Sequence, residues 1–289
     1  VVLYARTIRF GWVYDDQMEV VLNTFVTSLS YVPAMFTSTV WAGSGMETFL
    51  YRPLALLTYA LNYQVSGTAP WSYHLVNVGL HAATAVLVVR LGRSWGLSTL
   101  AAGLAGIIFA VHPIHVEAVA PVFGRKDLLA TLFVVAMVLA HRAALSRGGW
   151  RQGVPVLLLL GAMFAKEVGV VGIVLVAAQD FWTERDRRAF LRRAEPPVLY
   201  ASYLLAASLY LVARGAAVGG LGIPDTSPLD NPLVTAPFAT RLLTAWAVIG
   251  KGVALQVLPL VQSPDYSFNA IPLVGSVSDP RFVGVLAGS

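Results

Sequence analysis

Apolar runs of membrane-crossing length recur along this chain, and short arginine-bearing segments separate them. Residues 73–91, 128–144, 154–176, 198–213 and 240–261 are such runs, and 100–111 is a shorter one that ends at His112. About 20 apolar residues at ~1.5 Å rise span the hydrocarbon core of a bilayer. Hydrophobic residues make up 57% of the chain and charged residues only 12%, whereas a soluble domain carries about a quarter charged. A helix satisfies its own backbone polar groups inside lipid. The chain therefore reads as an all-α polytopic membrane protein.

The arginines set the orientation. Arg90 and Arg93, then Arg142, Arg147 and Arg151, then five arginines within 185–193 fall in three short connections. The positive-inside rule places these on the cytoplasmic side, including the basic segment 183–197. By alternation, loop 1 (14–71), loop 2 (112–127) and the Gly/Pro/Asp loop 215–237 lie on the outer face. Within loop 1, "MEVVLNTFVTSLSYV" and "PLALLTYALNYQV" are amphipathic at helical spacing and suit interfacial or re-entrant helices. The 154–182 segment has cytoplasmic arginines at both ends, so it must enter and return. Two short helices with a turn at Lys166, Glu167 and Gly169 do this; a straight span would place Lys166 at mid-bilayer, at a cost of roughly 2.5–3.5 kcal/mol.

The basic clusters flank oily spans and do not form a basic surface interleaved with aromatics, so nucleic acid is not an expected partner. The chain has no cysteine, which excludes a disulfide framework and a thiolate metal site. Arginine outnumbers lysine 17 to 3, a bias that points to a GC-rich prokaryotic source and its cytoplasmic membrane, or the endoplasmic reticulum membrane in a eukaryote. Val1 at the start and the apolar stretch 282–287 at the end suggest a fragment whose first span is mostly missing.

Polar residues gather in five places. Asp15 and Asp16 follow the first apolar segment, where they fit either a general base or acids in the first turn of a helix. His74, Asn77 and His81 share one face of a span and suit interhelical hydrogen bonding. In loop 2, His112, His115 and Glu117 have spacing that could ligate a divalent cation, while Arg125 and Lys126 stand at a helix start, where an anion would also meet backbone N–H groups. The same residues could instead snorkel beside headgroups. Lys166 is costly in a membrane segment and so marks a site, unless it pairs with Glu167, Asp15 or Asp16. Arg241, Lys251, Asp265 and Tyr266 fit an interfacial turn or the margin of a site.

In order along the chain, "WVYDDQMEVVLN", "YRPLALLTYALNYQVSGTAPWSYHLVNVGLHA", "HPIHVEAVAPVFGRKDLLA", "AKEVGVVG" and "LPLVQSPDYS" with its following "IPL" resemble the transmembrane and tetratricopeptide-repeat O-mannosyltransferases and their prokaryotic relatives. The resemblance covers nearly the whole chain, and "HPIHVEAV" with "GRKDLLA" is its most specific part. It implies a C-type glycosyltransferase-like helical bundle with a long outer first loop. It also implies an inverting transfer of a sugar, mannose, from a polyprenyl-phosphate donor to a Ser/Thr hydroxyl of an acceptor protein outside the cytoplasm. An acid of the first outer loop acts at the reaction centre in such enzymes, which here means Asp16 or Asp15, with Asp16 preferred. Arg125, Lys126, Lys166 and Arg52 then become the candidates for the lipid phosphate. His112, His115 and Glu117 would hold the phosphate or a divalent metal, and no other cofactor is implied. The chain departs from the family in lacking tetratricopeptide repeats, since no period of about 34 residues appears, and this leaves acceptor choice open. A transporter or flippase of an anionic lipid or lipid-linked sugar is the rival reading. It shares the broken helix at Lys166, but the sequence holds no second copy of the 154–182 pattern.

Overall fold

The apolar runs become helices in the computed structural model, which describes residues 2–183, 195–220, 228, 231–260, 262–263, 266, 270–276 and 279. No strand occurs among these described residues. The α-helices are α1 (Val32–Thr37), α2 (Pro53–Ser66), α3 (Trp71–Ser94), α4 (Thr99–Val111), α5 (Val116–Val119), α6 (Arg125–Arg147), α7 (Gly153–Ala165), α8 (Val171–Thr183), α9 (Glu195–Val218) and α10 (Phe238–Val257). Among the described residues, the stretches Trp71–Ser94, Val122–Ser146, Pro196–Val218 and Phe238–Val257 are long and apolar enough to cross a membrane. The broken pair Thr99–Val111 and Pro113–Val119 would make a fifth. Leu104, Ile107, Leu204 and Leu205 stay exposed on these helices, as expected of surfaces that face lipid. The protein is an all-α integral membrane protein. Most of the basic segment 183–197, most of the 221–230 part of the outer loop, and Asp265 lie outside the described residues.

The chain divides into two compact units, one of residues 1–112 and 118–221, the other of residues 113–117 and 222–289. In the first unit, α3 and α4 pack antiparallel after a short turn. His81 Nε2 meets the Ala110 carbonyl at 3.0 Å, while Gly92 lies against Ala102 and Gly106 against Val89. Small residues at such crossings let helix backbones approach. The α6 helix runs in the same direction as α3: Arg125 bonds Asn77 near its start, and Arg142 bonds the Ser94 carbonyl further along.

The α7 helix climbs beside α6, with Gly161 against Phe133, and Ala165 joins Leu129 and Ala130 in one buried cluster. The chain then reverses through the 3-10 turn Glu167–Val170. At Gly169 a Cβ would fall 2.5 Å from the carbonyl carbon of Ala162, so only glycine permits so sharp a return. The α8 helix descends until Gln179 bonds the Val138 carbonyl and Asp180 reaches His141. The α9 helix starts at that level and climbs back, its Tyr210 ring tilted against that of Tyr51. Met137, Leu159, Met163, Val176, Leu199, Tyr203 and Ala206 form the bundle core.

Loop 1 is itself folded. Val20, Val26, Met35, Val40, Leu56 and Tyr59 build a second core, closed by Tyr73 and Val122. Asn23 ties it together, donating to the Val40 carbonyl at 2.8 Å and accepting from the Phe25 N–H at 3.1 Å. This cap covers the end of the bundle where α3 and α6 begin. In the second unit, Arg241 at the start of α10 donates to the Ala236 and Val234 carbonyls, and the Val274 N–H donates to Thr244 Oγ1.

Candidate functional site

The two aspartates occupy different environments. Tyr14, just before them, has φ +46, a left-handed conformation that a tyrosine adopts only under constraint. A π-helical turn, Gln17–Val21, follows. Asp16 is fully buried. Its carboxylate accepts from three backbone N–H groups: Phe123 at 2.6 Å, Val13 at 3.0 Å and Val122 at 3.4 Å. Burial pushes its carboxyl above the usual range, the three N–H groups pull the other way, and the Glu19 charge adds to the rise. Asp16 thus stitches loop 1 to the segment just ahead of α6. Asp15, with its side chain 44% exposed, lies 3.9 Å from Lys126 Nζ. It is the more accessible of the two aspartates.

Sequence reading passed over Glu19, which completes the cluster. It is fully buried, pairs with Lys126 Nζ at 2.7 Å and accepts from the Tyr59 hydroxyl at 3.2 Å. Burial and the Glu19 charge hold the Tyr59 hydroxyl protonated well above its ordinary range, so it serves as a donor. Lys126 also lies 4.8 Å from the Phe123 ring centre. Within "MEVV", Glu19 looked like the polar face of an amphipathic helix. Its partner is 107 residues away, and no local pattern announces it.

Arg125 is turned inward. Its guanidinium is fully buried and donates to Asn77 Oδ1, Asn62 Oδ1 and the carbonyls of Thr58 and Tyr73. The rings of Tyr59 and Tyr73 lie 4.9 and 5.7 Å from it. Asn77 in turn donates to the carbonyls of Pro121 and Val122. One arginine therefore binds α2, α3 and the entry to α6 into a single block. The neighbouring Gly124 is obligatory, because a Cβ there would collide with the backbone of Ala118.

The remaining cations pair around the same end of the bundle. Lys166 bonds Asp127 at 2.6 Å, in place of Glu167, Asp15 or Asp16. Arg52, nearly buried, bonds Glu167 at 3.2 Å. Burial alone would raise the Glu167 carboxyl, but the Arg52 charge and hydrogen bond outweigh it and hold the group below its ordinary value. His74 is buried at the start of α3 against the Phe10 ring, and His81 packs between Tyr4 and Phe109. Both are packing residues of α3. His112 is half-buried, as is His115, while Glu117 is exposed. No group of three or more His, Asp or Glu side chains gathers for a metal among the described residues. In the second unit, Lys251 Nζ stands 4.7 Å from the Tyr266 ring centre.

The bundle also holds a closed polar knot at its other end. His141 Nδ1 meets the Tyr203 hydroxyl at 2.8 Å and its Nε2 meets Asp180 at 3.0 Å. Tyr200 donates to the same Asp180 oxygen at 2.7 Å.

Comparison with known proteins adds independent information. Residues 220–288 match the family model described as "Protein O-mannosyl-transferase TMTC, DUF1736". The chain is 33% identical to Protein O-mannosyl-transferase Tmtc2 of Drosophila melanogaster, covering 99% of this chain and 32% of that protein. It is 32% identical to Protein O-mannosyl-transferase TMTC2 of Homo sapiens, covering 99% of this chain and 36% of that protein. Against human Protein O-mannosyl-transferase TMTC4 the figures are 30%, 99% and 44%. No solved structure matches. The chain thus spans about a third of the length of the first two of these curated relatives. Over nearly all of its own length, the chain is similar to proteins named TMTC protein O-mannosyl-transferases.

Proposed function

We propose that the chain is the membrane part of a protein O-mannosyltransferase, which moves mannose from a polyprenyl-phosphate donor to a Ser or Thr hydroxyl on the extracytoplasmic side of its membrane. The observation that carries this reading is one accessible carboxylate, Asp15, beside a buried lysine–glutamate pair at one end of a helical bundle. The relatives' names give the sugar and the class of transfer.

Asp15 is the general base. The acceptor hydroxyl gives its proton to the Asp15 carboxylate as its oxygen bonds the sugar C1. The bond from C1 to the phosphate oxygen breaks, and polyprenyl phosphate leaves with the electron pair. Attack from the opposite face inverts C1. Lys126 fixes Asp15 from one side while Glu19 and Tyr59 fix Lys126, so the base is oriented before the acceptor arrives. Asp16, which the sequence favoured as base, has both oxygens bonded to backbone N–H groups and no exposed surface; its role is to hold the loop. The arginine-rich connections put the acid cap outside the cytoplasm by the positive-inside rule.

The test uses the full-length protein with labelled polyprenyl-phosphate mannose and candidate acceptor peptides, read by mass spectrometry. Asp15→Asn lowers transfer by about 10²- to 10⁴-fold in a protein that still inserts and folds. Full transfer by Asp15→Asn would sink the assignment. Lipid movement across vesicles without any glycosylated product would favour the transporter.

A further inference from the structure

Once Arg125, Lys126 and Lys166 are paired internally, the cations suggested for the donor's phosphate are no longer equivalent. Arg52 stands apart. It is 6% exposed, only its Nη2 bonds Glu167, and its Nε has no hydrogen-bond partner among the described residues. The Tyr210 hydroxyl on α9 is in the same condition, 3% exposed and unpartnered. Native interiors rarely leave such donors unmatched, and an unmatched one calls for an explanation.

The two groups share a neighbourhood. Glu167, Arg214 and Arg52 all act electrostatically on Tyr210, as does Tyr51. The Tyr51 and Tyr210 rings are 6.0 Å apart, and Phe164 packs edge-on against both. Arg214, one turn beyond Tyr210, reaches the Phe49 carbonyl. The result is a patch of two arginines and a tyrosine hydroxyl set against aromatic rings. The carboxylate on Arg52 belongs to Glu167, whose side chain is 46% exposed, so it can swing away without disturbing the core. Beside it, Val168, Val170 and Val171 are exposed on the reversal between α7 and α8.

We infer that Arg52 and Tyr210, with Arg214 at the margin, form the seat for a lipid-linked phosphate, and that Glu167 is a resident counter-ion which the phosphate displaces. The seat rests on the glycosyltransferase reading for the identity of its ligand and adds to it a place for the anion built from residues other than Asp15, Glu19 and Lys126. A phosphate oxygen accepts from Arg52 Nε and the Tyr210 hydroxyl, the two donors that lack partners, and planar guanidinium groups suit such oxygens. The exposed Val168, Val170 and Val171 offer apolar surface to an isoprenoid chain. Free phosphate has no use for that surface. With Glu167 on Arg52 the seat is closed, and apparent affinity is lowered by the fraction of time it stays closed.

Binding of a sugar-free short-chain polyprenyl phosphate to the full-length protein in neutral-lipid nanodiscs tests this, with inorganic phosphate as the second probe. Glu167→Gln removes the competitor and tightens lipid binding about fivefold or more. Tyr210→Phe weakens it by about three- to tenfold, and Arg52→Gln by about tenfold or more. Glu167→Gln, which alters a half-exposed side chain, keeps the test decisive if Arg52→Gln does not fold. Unchanged or weaker binding by Glu167→Gln overturns the displacement, and equal binding of inorganic phosphate and the lipid overturns the lipid-linked ligand. Asp15→Asn retains wild-type binding, so failure of the seat and failure of the catalytic assignment are read separately.

Discussion

Two polar clusters lie in the first unit, and they differ in one respect that matters. In the knot of His141, Asp180, Tyr200 and Tyr203 the carboxylate itself is buried, only Tyr200 is half-exposed, and Asp180 takes its bonds from groups on neighbouring helices. The cluster of Asp15, Glu19, Lys126 and Tyr59 has equally buried members, yet Asp15 remains open. Both tie distant segments together. Only the second presents a lone pair that something outside the protein can use. Buried polarity alone therefore does not mark a site in a helical bundle; an accessible group held by a buried frame does.

The comparison breaks most directly at Asp15. Asp15→Asn lowers mannosyl transfer by about 10²- to 10⁴-fold, the range for loss of a general base, while thermal stability stays within ~0.5 kcal/mol of wild type. The next effect falls on folding. Lys126→Met leaves Glu19 buried without its cation and costs about 3–5 kcal/mol, visible as a lowered Tm in detergent. Adding Glu19→Gln to that variant restores most of the loss, because the stranded charge is then gone. The knot gives the third and smaller effect. Asp180→Asn removes an acceptor shared by His141 and Tyr200 and costs about 1–3 kcal/mol, with transfer by the folded fraction unchanged. Loss of transfer out of proportion to folding in Asp180→Asn would erase the distinction between the clusters.

The sequence revealed the helices more readily than the cluster. Lipid demands long apolar runs, so the spans were legible from hydropathy, and arginines at both ends of 154–182 called for a chain that enters and returns, with its turn at Lys166, Glu167 and Gly169. Helix α6 begins three residues before its apolar run at 128, because Arg125, Lys126 and Asp127 all find partners that hold them in helix. Asp15 and Lys126 stood out as charges in an oily chain. Their partners did not: Glu19 and Tyr59 sat within the two amphipathic segments of loop 1. What distinguishes these residues is contact across 40 to 107 positions, and a local pattern carries no record of it. The same limit made Arg125 look like an outward cation when four hydrogen bonds turn it inward.

The smallest effect concerns the Arg52–Glu167 pair, which lies between the two extremes: one partner is buried and the other half-exposed. The Glu167 carboxyl is held below its ordinary value, so the folded state prefers it charged. Its contribution is fully present above the ordinary glutamate range and is lost as pH falls through the lowered folded value. The stability difference between wild type and Glu167→Gln is therefore largest near neutral pH and shrinks toward zero in acid. Exposure of the glutamate keeps that difference to about 1 kcal/mol or less. Thermal unfolding of both proteins from pH 7 downward measures it. A difference that stays constant or grows on acidification would show that Arg52 does not hold Glu167 as a charged pair, and would leave no carboxylate on Arg52 for an anion to displace.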